Sequence, residues 1–560
     1  MKQNFLKWLR DGTPWIWFNA GAVAISIVMV IGLLLLLAVR GIEHFWPKDV
    51  MQAVYEQPVA GGQAQRVPIL GELVESEQIP ASQIISSGVP VDEDQDFYQR
   101  SLVKLGNRDL TGADFTWLLD DFVSSRSYPA DAVTLERREW GNFYGFLEQV
   151  SEAGQVLATS TDAERWQAFR DRLQRALDIH EQIYAIEKDD IGEINYAMER
   201  LRLEERRLEL EGEATPQALA QLDEARAELE ADYEGLQAEL ERLHEEASRD
   251  AAVFRTSADQ QVTISLDDIV MAYRPNQMNV PEKLGTFFAK LGEFLTAEPR
   301  EANTEGGIFP AIFGTVLMVL LMSVFVTPFG VMAAVYLREY ARQGFVTRAI
   351  RIAVNNLAGV PSIVYGVFGL GFFIYIIGGE IDELFYPAAL PAPTFGTPGL
   401  LWASLTLALL TVPVVIVATE EGLARIPRSV REGSLALGAT KFETLWRVVL
   451  PMASPAMMTG LILAVARAAG EVAPLMLVGV VKLAPSLPLD GNYPYLHLDQ
   501  KFMHLGFHIY DVGFQSPNVE AARPLVFATA LLLVIVIAAL NLAAVGLRNR
   551  LREKFKTLDV

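Results

Sequence analysis

This chain of 560 residues contains no cysteine, so disulfides and thiolate metal sites are excluded while the compartment stays open. It also has no Gly-x-x-x-x-Gly-Lys-Ser/Thr loop to cradle nucleotide phosphates, no His-Glu-x-x-His zinc pair and no Gly-x-Ser-x-Gly nucleophile turn. Its six histidines are scattered, and His180 and His244, in a charged helical stretch, read as surface or seam residues. No catalytic residue, metal or cofactor is therefore expected, and any ATP must be hydrolysed by another protein. A basic surplus is missing as well. The net charge is −22, whereas a nucleic-acid surface needs clustered Lys and Arg.

Hydrophobic residues make up 51% of the chain, which fits so large a negative charge only if the two are segregated. Residues 1–40 carry four Lys or Arg against one Asp, residues 41–305 carry 25 against 53 acids, and residues 306–560 carry 18 against 15. The acidity is thus one middle block. Around it lie six mostly apolar segments of roughly 18–25 residues, long enough to cross a bilayer: about 17–39, 308–337, 354–377, 399–418, 455–481 and 524–547. Lys2, Lys7 and Arg10 precede the first as in a signal peptide. Its apolar run exceeds the roughly 7–15 residues of a signal core, however, and no small-x-small cleavage site follows, so it reads as an anchor.

Positive charge sets the orientation. Lys2, Lys7 and Arg10 at the N-terminus, Arg338, Arg342, Arg348 and Arg351 after the second segment, Arg425, Arg428, Arg431, Lys441 and Arg447 after the fourth, and the basic tail 548–560 all fall on one side. The acidic block and Glu380, Asp382 and Glu383 fall on the other. Both termini are expected in the cytoplasm and residues 41–305 in the periplasm, in a multi-pass protein of the inner membrane.

Within the outer block, interrupted apolar runs at 54–91 read as strands and turns, and 114–123 and 140–150 as short amphipathic helices. Residues 162–250 are helical and highly charged, broken at Gly212 and Pro216, which suit a turn and the start of a return helix. Leu222, Leu229, Leu236 and Leu243 recur every seven residues, facing Ile191, Ile194, Met198, Leu201 and Leu208. This predicts an antiparallel coiled-coil hairpin with arms of roughly 50 Å. Its charges form either a solvated face or a docking surface. The whole reads as an α-helical polytopic membrane protein, one anchor helix and a five-helix domain at 306–547, with an α+β insert.

Three clusters in the membrane part carry chemistry. Glu432-Gly433-Ser434-Leu435-Ala436-Leu437-Gly438, followed by Leu450-Pro451, lies in the loop 420–451 and resembles the EAA loop by which ABC-transporter permeases grip an ATPase. Gly438 permits the reversal between two short helices. In the fifth segment Arg467 and Glu471 are four residues apart and therefore on one helix face. A lone charge at mid-bilayer costs about 2.5–3.5 kcal/mol. The pair either neutralises itself and pins packing, or presents a guanidinium fork to a passing oxyanion. The third cluster runs from Asn355 and Asn356 through Pro361 and Ser362 to Gly366. Its irregular backbone either lines a cavity, with freed amides and Ser362 receiving an anion, or lets helices pack closely.

Taken in order, Asn356-Leu357-Ala358-Gly359-Val360-Pro361-Ser362-Ile363-Val364-Tyr365-Gly366, the EAA-like loop and Ala466-Arg467-Ala468-Ala469-Gly470-Glu471 resemble the phosphate-transport permeases (PstA) of ABC importers, over nearly all of 306–560. The resemblance implies a type I ABC importer permease fold and the transport of phosphate. It also implies a second, PstC-like permease, a PstB-like ATPase dimer and a PstS-like periplasmic binding protein as partners, with membrane lipid around the spans. Arg467, Glu471, Asn356 and Ser362 would then serve translocation, and Glu432, Gly433, Ser434, Gly438, Leu450 and Pro451 ATPase docking. The triplet here reads Glu-Gly-Ser, a relaxed EAA. The insert of about 265 residues is a second departure, since usual members have a short loop there. The hairpin is expected to reach outward, to guide the binding protein or pair with an insert on the second permease. A permease for phosphonate, sulfate or molybdate, and a membrane sensor or scaffold, are the other readings; six spans with short cytoplasmic loops favour transport.

Overall fold

The computed structural model describes residues 12–57, 65–86, 89–92, 95–516 and 519–556. Lys2, Lys7 and Arg10, the end of the tail and parts of the 54–91 stretch lie outside them.

Among the described residues six helices are long and apolar enough to cross a membrane: Trp15–Glu43, Phe309–Tyr340, Ser362–Phe385, Leu400–Arg425, Lys441–Ala468 and Ala522–Arg550, called spans 1 to 6 here. Span 4 is the axis of the bundle. Its Trp402, Leu407, Leu410 and Val415 are buried in the main core with Met318 and Met322 of span 2 and Ala464 and Ala468 of span 5. Small residues set the approach of spans 4 and 5: a Cβ on Gly460 would lie 2.7 Å from that of Ala418. Span 1 is different. Its Ile25, Val28, Ile31 and Leu35 are all exposed, and a helix apolar all round needs lipid to cover it. It meets the bundle through span 6, where a Cβ on Gly41 would reach the Phe527 carbonyl at 3.0 Å.

Two span boundaries depart from the sequence expectation. Span 3 begins at Ser362, not near 354, because Pro361 has no N–H to continue a helix; Phe345–Leu357 is a separate amphipathic helix. Span 5 begins at Lys441 and stops at Ala468, where 455–481 was expected. Pro455 lies inside its helix, as membrane helices tolerate, while Gly470 and Pro474 end the run.

The insert is built on two antiparallel sheets. Strands β1 (Val50–Gln57), β2 (Gln65–Pro80), β3 (Phe97–Lys104), β4 (Phe115–Leu119) and β5 (Val123–Ser127) take the order β4-β3-β2-β1-β5. Strands β6 (Ala132–Arg137), β7 (Asn142–Glu152), β8 (Gln155–Val156), β9 (Asp250–Arg255), β10 (Gln261–Ser265) and β11 (Ile269–Tyr273) form the second, β10-β9-β7-β6-β11, with β8 beside β7. Val50, Leu70, Ala132, Tyr144 and Phe146 make a core drawn from both sheets. The short helices expected at 114–123 and 140–150 are therefore strands. Six consecutive residues of β7, Asn142 to Leu147, are buried, so the strand lacks the alternation that identifies a one-sided strand.

Between β8 and β9 the chain leaves as a helical hairpin. The outgoing arm runs from Asp162 through Ala185, a wide turn at Ile186–Asp190 and on through Ile191–Glu211; Pro216–Ala247 returns. Thr161 and Glu164 form a capping box at its start. Phe169, Leu173 and Ala176 pack on the second sheet. Ile179 and Ile183 meet Leu243 and Ala247 of the return arm. The hairpin does not stand clear of the membrane part: Lys188 donates to the Pro485 carbonyl at 3.3 Å, and the Tyr196 hydroxyl donates to that of Tyr493. A last amphipathic helix, Val280–Thr296, packs Phe294 on Phe45 at the end of span 1, with centroids 5.0 Å apart, and leads into span 2.

Candidate translocation site and docking loop

Arg467 sits in the last turn of the helix Leu450–Ala468. Glu471 lies beyond its end, so the two do not share a helix face; the chain folds back, with the Glu471 amide on the Ala468 carbonyl at 3.2 Å, and Arg467 Nε reaches Glu471 Oε1 at 3.5 Å. Their side chains keep 34% and 22% of their exposure. The bridge is thus not sealed, and a ligand can compete for the guanidinium.

The 356–366 cluster meets this turn. A Cβ on Gly366 would lie 2.7 Å from Cα of Pro474, and Tyr365 shares the main core with Val465, Ala468, Ala469 and Leu475. The Tyr365 hydroxyl donates to the Leu357 carbonyl at 2.6 Å, tying span 3 to the amphipathic helix across the break at Pro361. Ser362, the first residue of span 3, is half-buried, whereas Asn356 is exposed on that amphipathic helix. Two of the three motif clusters are therefore packed together.

The third forms a knob between spans 4 and 5. Helix Arg428–Ala436 ends at Gly438, whose φ is +89°, and Thr440 caps the next turn in a box with Glu443. Ser434 and Thr444 hydroxyls meet at 2.9 Å, closing the knob. Glu432 and Gly433 are exposed, while Leu450 and Pro451 are half-buried in the continuous helix of span 5, outside the knob itself. Sequence reasoning missed the knob's apolar cap. Leu437 is 91% exposed, and Phe442 and Trp446 stack with rings 6.3 Å apart, both open to solvent. Three bulky apolar groups on a polar loop were a readable signal. It also missed Arg431, which donates to the Ile426 and Leu423 carbonyls and to Glu339.

Residues 326–556 match the family of binding-protein-dependent transport system inner membrane components. Over 247 residues the chain is 36% identical to the phosphate transport system permease protein PstA 1 of Mycobacterium tuberculosis, covering 43% of this chain and 70% of that one. The chain belongs to the PstA permease family. It is also 32% identical over 255 residues to PstA of Yersinia pestis (45% of this chain, 76% of that protein), and 29% identical over 209 residues to the phosphate transport system permease protein PstC of Xylella fastidiosa (36% and 64%). As a PstA-type permease it is a multi-pass inner-membrane subunit of a transporter complex with other permease and ATPase subunits. The matched shares leave the insert largely outside the family resemblance, as its separate two-sheet core suggests.

Proposed function

We propose that this chain is the membrane-spanning permease subunit of an ATP-driven phosphate importer. The observation that carries the reading is its 36% identity to a mycobacterial phosphate permease over 70% of that protein's length. It shares the translocation path with a PstC-like permease, receives phosphate from a PstS-like binding protein on the insert side, and rests on a PstB-like ATPase dimer. Both termini are cytoplasmic and residues 41–305 periplasmic, as the Lys and Arg of the short loops favour.

Arg467 is the phosphate-contacting group. Its planar fork matches two oxygens of a tetrahedral oxyanion, and Glu471 holds it until the anion displaces the long 3.5 Å contact. Ser362 and the free amides at the start of span 3, with Asn356 at the entrance to the break, add neutral donors. The knob transmits the ATPase stroke: Leu437, Phe442 and Trp446 enter an apolar groove of the ATPase while Glu432, Gly433, Ser434 and Gly438 shape the loop, and Leu450 and Pro451 begin the rigid helix that carries the motion to Arg467. The insert's hairpin, resting on the 485–497 loop, guides the binding protein onto the mouth.

The test is energy-dependent uptake of labelled phosphate in cells lacking this chain, restored with the full-length protein or with Arg467→Gln, in the presence of sulfate or phosphonate. Uptake restored by the first alone and indifferent to the competitors supports the reading. Uptake of another oxyanion instead would keep the architecture and replace the substrate.

A further inference from the structure

The last insert helix, Val280–Thr296, turns its charges inward. Lys283 pairs with Asp49 at 2.6 Å, Lys290 with Glu136 at 2.5 Å and Glu293 with Arg300 at 2.6 Å, while Glu282 closes the capping box with Asn279. Lys290 and Glu293 look into a cavity of about 1200 Å³ beneath the insert, which Glu305 also lines. The outward face is left without charge. Val280, Leu284 and Phe288 are exposed at i, i+4 and i+8, and Pro281, Gly285 and Ala289 form the row beside them, exposed as well. A helix facing water carries its charged residues outward; this one does not.

Contacts at both ends fix the height of this face. Phe287 packs against Phe45 and Trp46, with ring centroids 6.2 and 6.4 Å apart, Phe294 packs on Phe45, and Lys283 reaches Asp49. All of these fall on residues 45–49, just beyond span 1. Towards the other end the Ile308 amide donates to the Phe294 carbonyl at 2.9 Å and the Phe309 amide to that of Ala297 at 3.2 Å, at the head of span 2. The helix is therefore strapped to the ends of two spans, where the headgroups of a bilayer begin. Its outward face also continues an apolar surface: Leu35, Val39 and Ile42 of span 1 lead up to it, all exposed, and the partly exposed Trp46, of a residue type enriched at membrane interfaces, lies against it.

We propose that this helix lies in the headgroup layer on the insert side of the membrane and seats the insert on lipid, with Val280, Leu284 and Phe288 at the acyl boundary, about 5–10 Å deep. A protein partner fits this face less well, because interfaces are rimmed by polar groups and the exposed positions between Leu284 and Leu295 offer no polar side chain. Held at one height, the insert presents its hairpin to the 485–497 loop from a fixed base. Which leaflet is meant follows the orientation proposed above; the contact with lipid does not depend on it.

The chain has no cysteine, so single spin labels can be placed where they are wanted. The test labels Leu284→Cys, Phe288→Cys and, on the hairpin, Glu187→Cys, each in the full-length chain within its complex in phospholipid nanodiscs, and measures collisions of each label with oxygen and with a water-soluble nickel chelate. All three positions are exposed, so the labels leave the packed face of each helix intact. The ratio of oxygen to nickel collisions should be severalfold higher at 284 and 288 than at 187, because oxygen enters the acyl region and the chelate stays in water. Nickel collisions as frequent at 284 and 288 as at 187 would leave the face in water and overturn the proposal. Low collision rates with both reagents would put a protein against the face, and would overturn it too.

Discussion

The Arg431 guanidinium donates to the Glu339 carboxylate at 2.9 Å, joining the knob between spans 4 and 5 to the end of span 2. Both side chains are largely covered, at 19% and 13% exposure. Lys441 from the far side of the knob donates to the Glu339 carbonyl and lies over the Tyr340 ring at 4.3 Å. The knob is thus held by its two flanks against one helix end, as a lever must be if motion is to reach the bundle.

Removing Glu339 leaves Arg431 partly buried without its counter-charge. Glu339→Ala should cost about 1–3 kcal/mol locally, seen as faster proteolysis between Arg425 and Arg447 and reduced ATPase co-purification. Glu339→Gln, which keeps an acceptor, should retain most of the association. Equal behaviour of the two would show that the charge and its hydrogen bond do not hold the knob.

Gly438 is required by its backbone angle and not by space: its φ is +89° and a Cβ there would meet nothing within 4 Å. Gly438→Ala should therefore weaken the knob by about 1 kcal/mol, Gly438→Asn by less and Gly438→Val by more. ATPase retention on affinity resin should follow that order. Loss of binding with all three alike would place a direct contact at this position instead.

Arg467 and Glu471 make a testable pair because their contact is long and open. Arg467→Gln should abolish phosphate uptake in an assembled complex, and Glu471→Gln should lower it less while tightening phosphate retention, since it frees the guanidinium. In a double-mutant cycle the two changes should be strongly non-additive for uptake and nearly additive for thermal stability. Strong coupling in stability with unchanged uptake would make the bridge a packing device.

What the sequence made legible was local. Apolar runs of bilayer length and the helix-Gly438-helix reversal each lie within a few turns, and both are in place among the described residues. The errors fell where tertiary context decides. Phe143 packs in the core with Phe169 of the hairpin, and Tyr144 and Phe146 with Val50 and Leu70 of the other sheet, so both faces of β7 are covered and periodicity could not separate strand from helix. The Arg467–Glu471 spacing suggested one helix face, but Gly470 and Pro474 end the helix between them. Arg431 and Glu339 are 92 positions apart, beyond the reach of any local pattern.

Burial beside the cavity raises the Glu305 carboxyl from 4.5 to about 6, against the opposing pull of Lys104. The folded insert therefore holds this proton to a higher pH than the unfolded chain. The sign follows: the stabilisation is complete below pH 4.5, falls as pH rises towards 6, and is absent above it, a loss of at most about 2 kcal/mol. Glu305→Gln should remove that slope and raise the melting temperature at pH 7.5, while leaving it little changed at pH 4.5. An unchanged slope in the variant would assign the pH dependence to another group.

The hairpin's lean on the membrane part gives the last test. Tyr196 packs edge-on against His497, with ring centroids 5.7 Å apart, and His497 is held by Asp490 at 2.8 Å. Together with Lys188 on the Pro485 carbonyl, this fixes the outgoing arm over the 485–497 loop. These contacts are few and half-exposed, so Tyr196→Ala with Lys188→Ala should leave the insert folded, its cores at Phe169 and Ile183 being elsewhere, yet free the arm. Hydrogen exchange at 485–497 and 191–205 should rise severalfold with no change near β7. If the hairpin guides the binding protein, uptake in this variant should fall at limiting binding protein and recover at saturation. A uniform fall at all concentrations would place the contact in the transport cycle itself, and no fall would make the hairpin a passenger on the loop it touches.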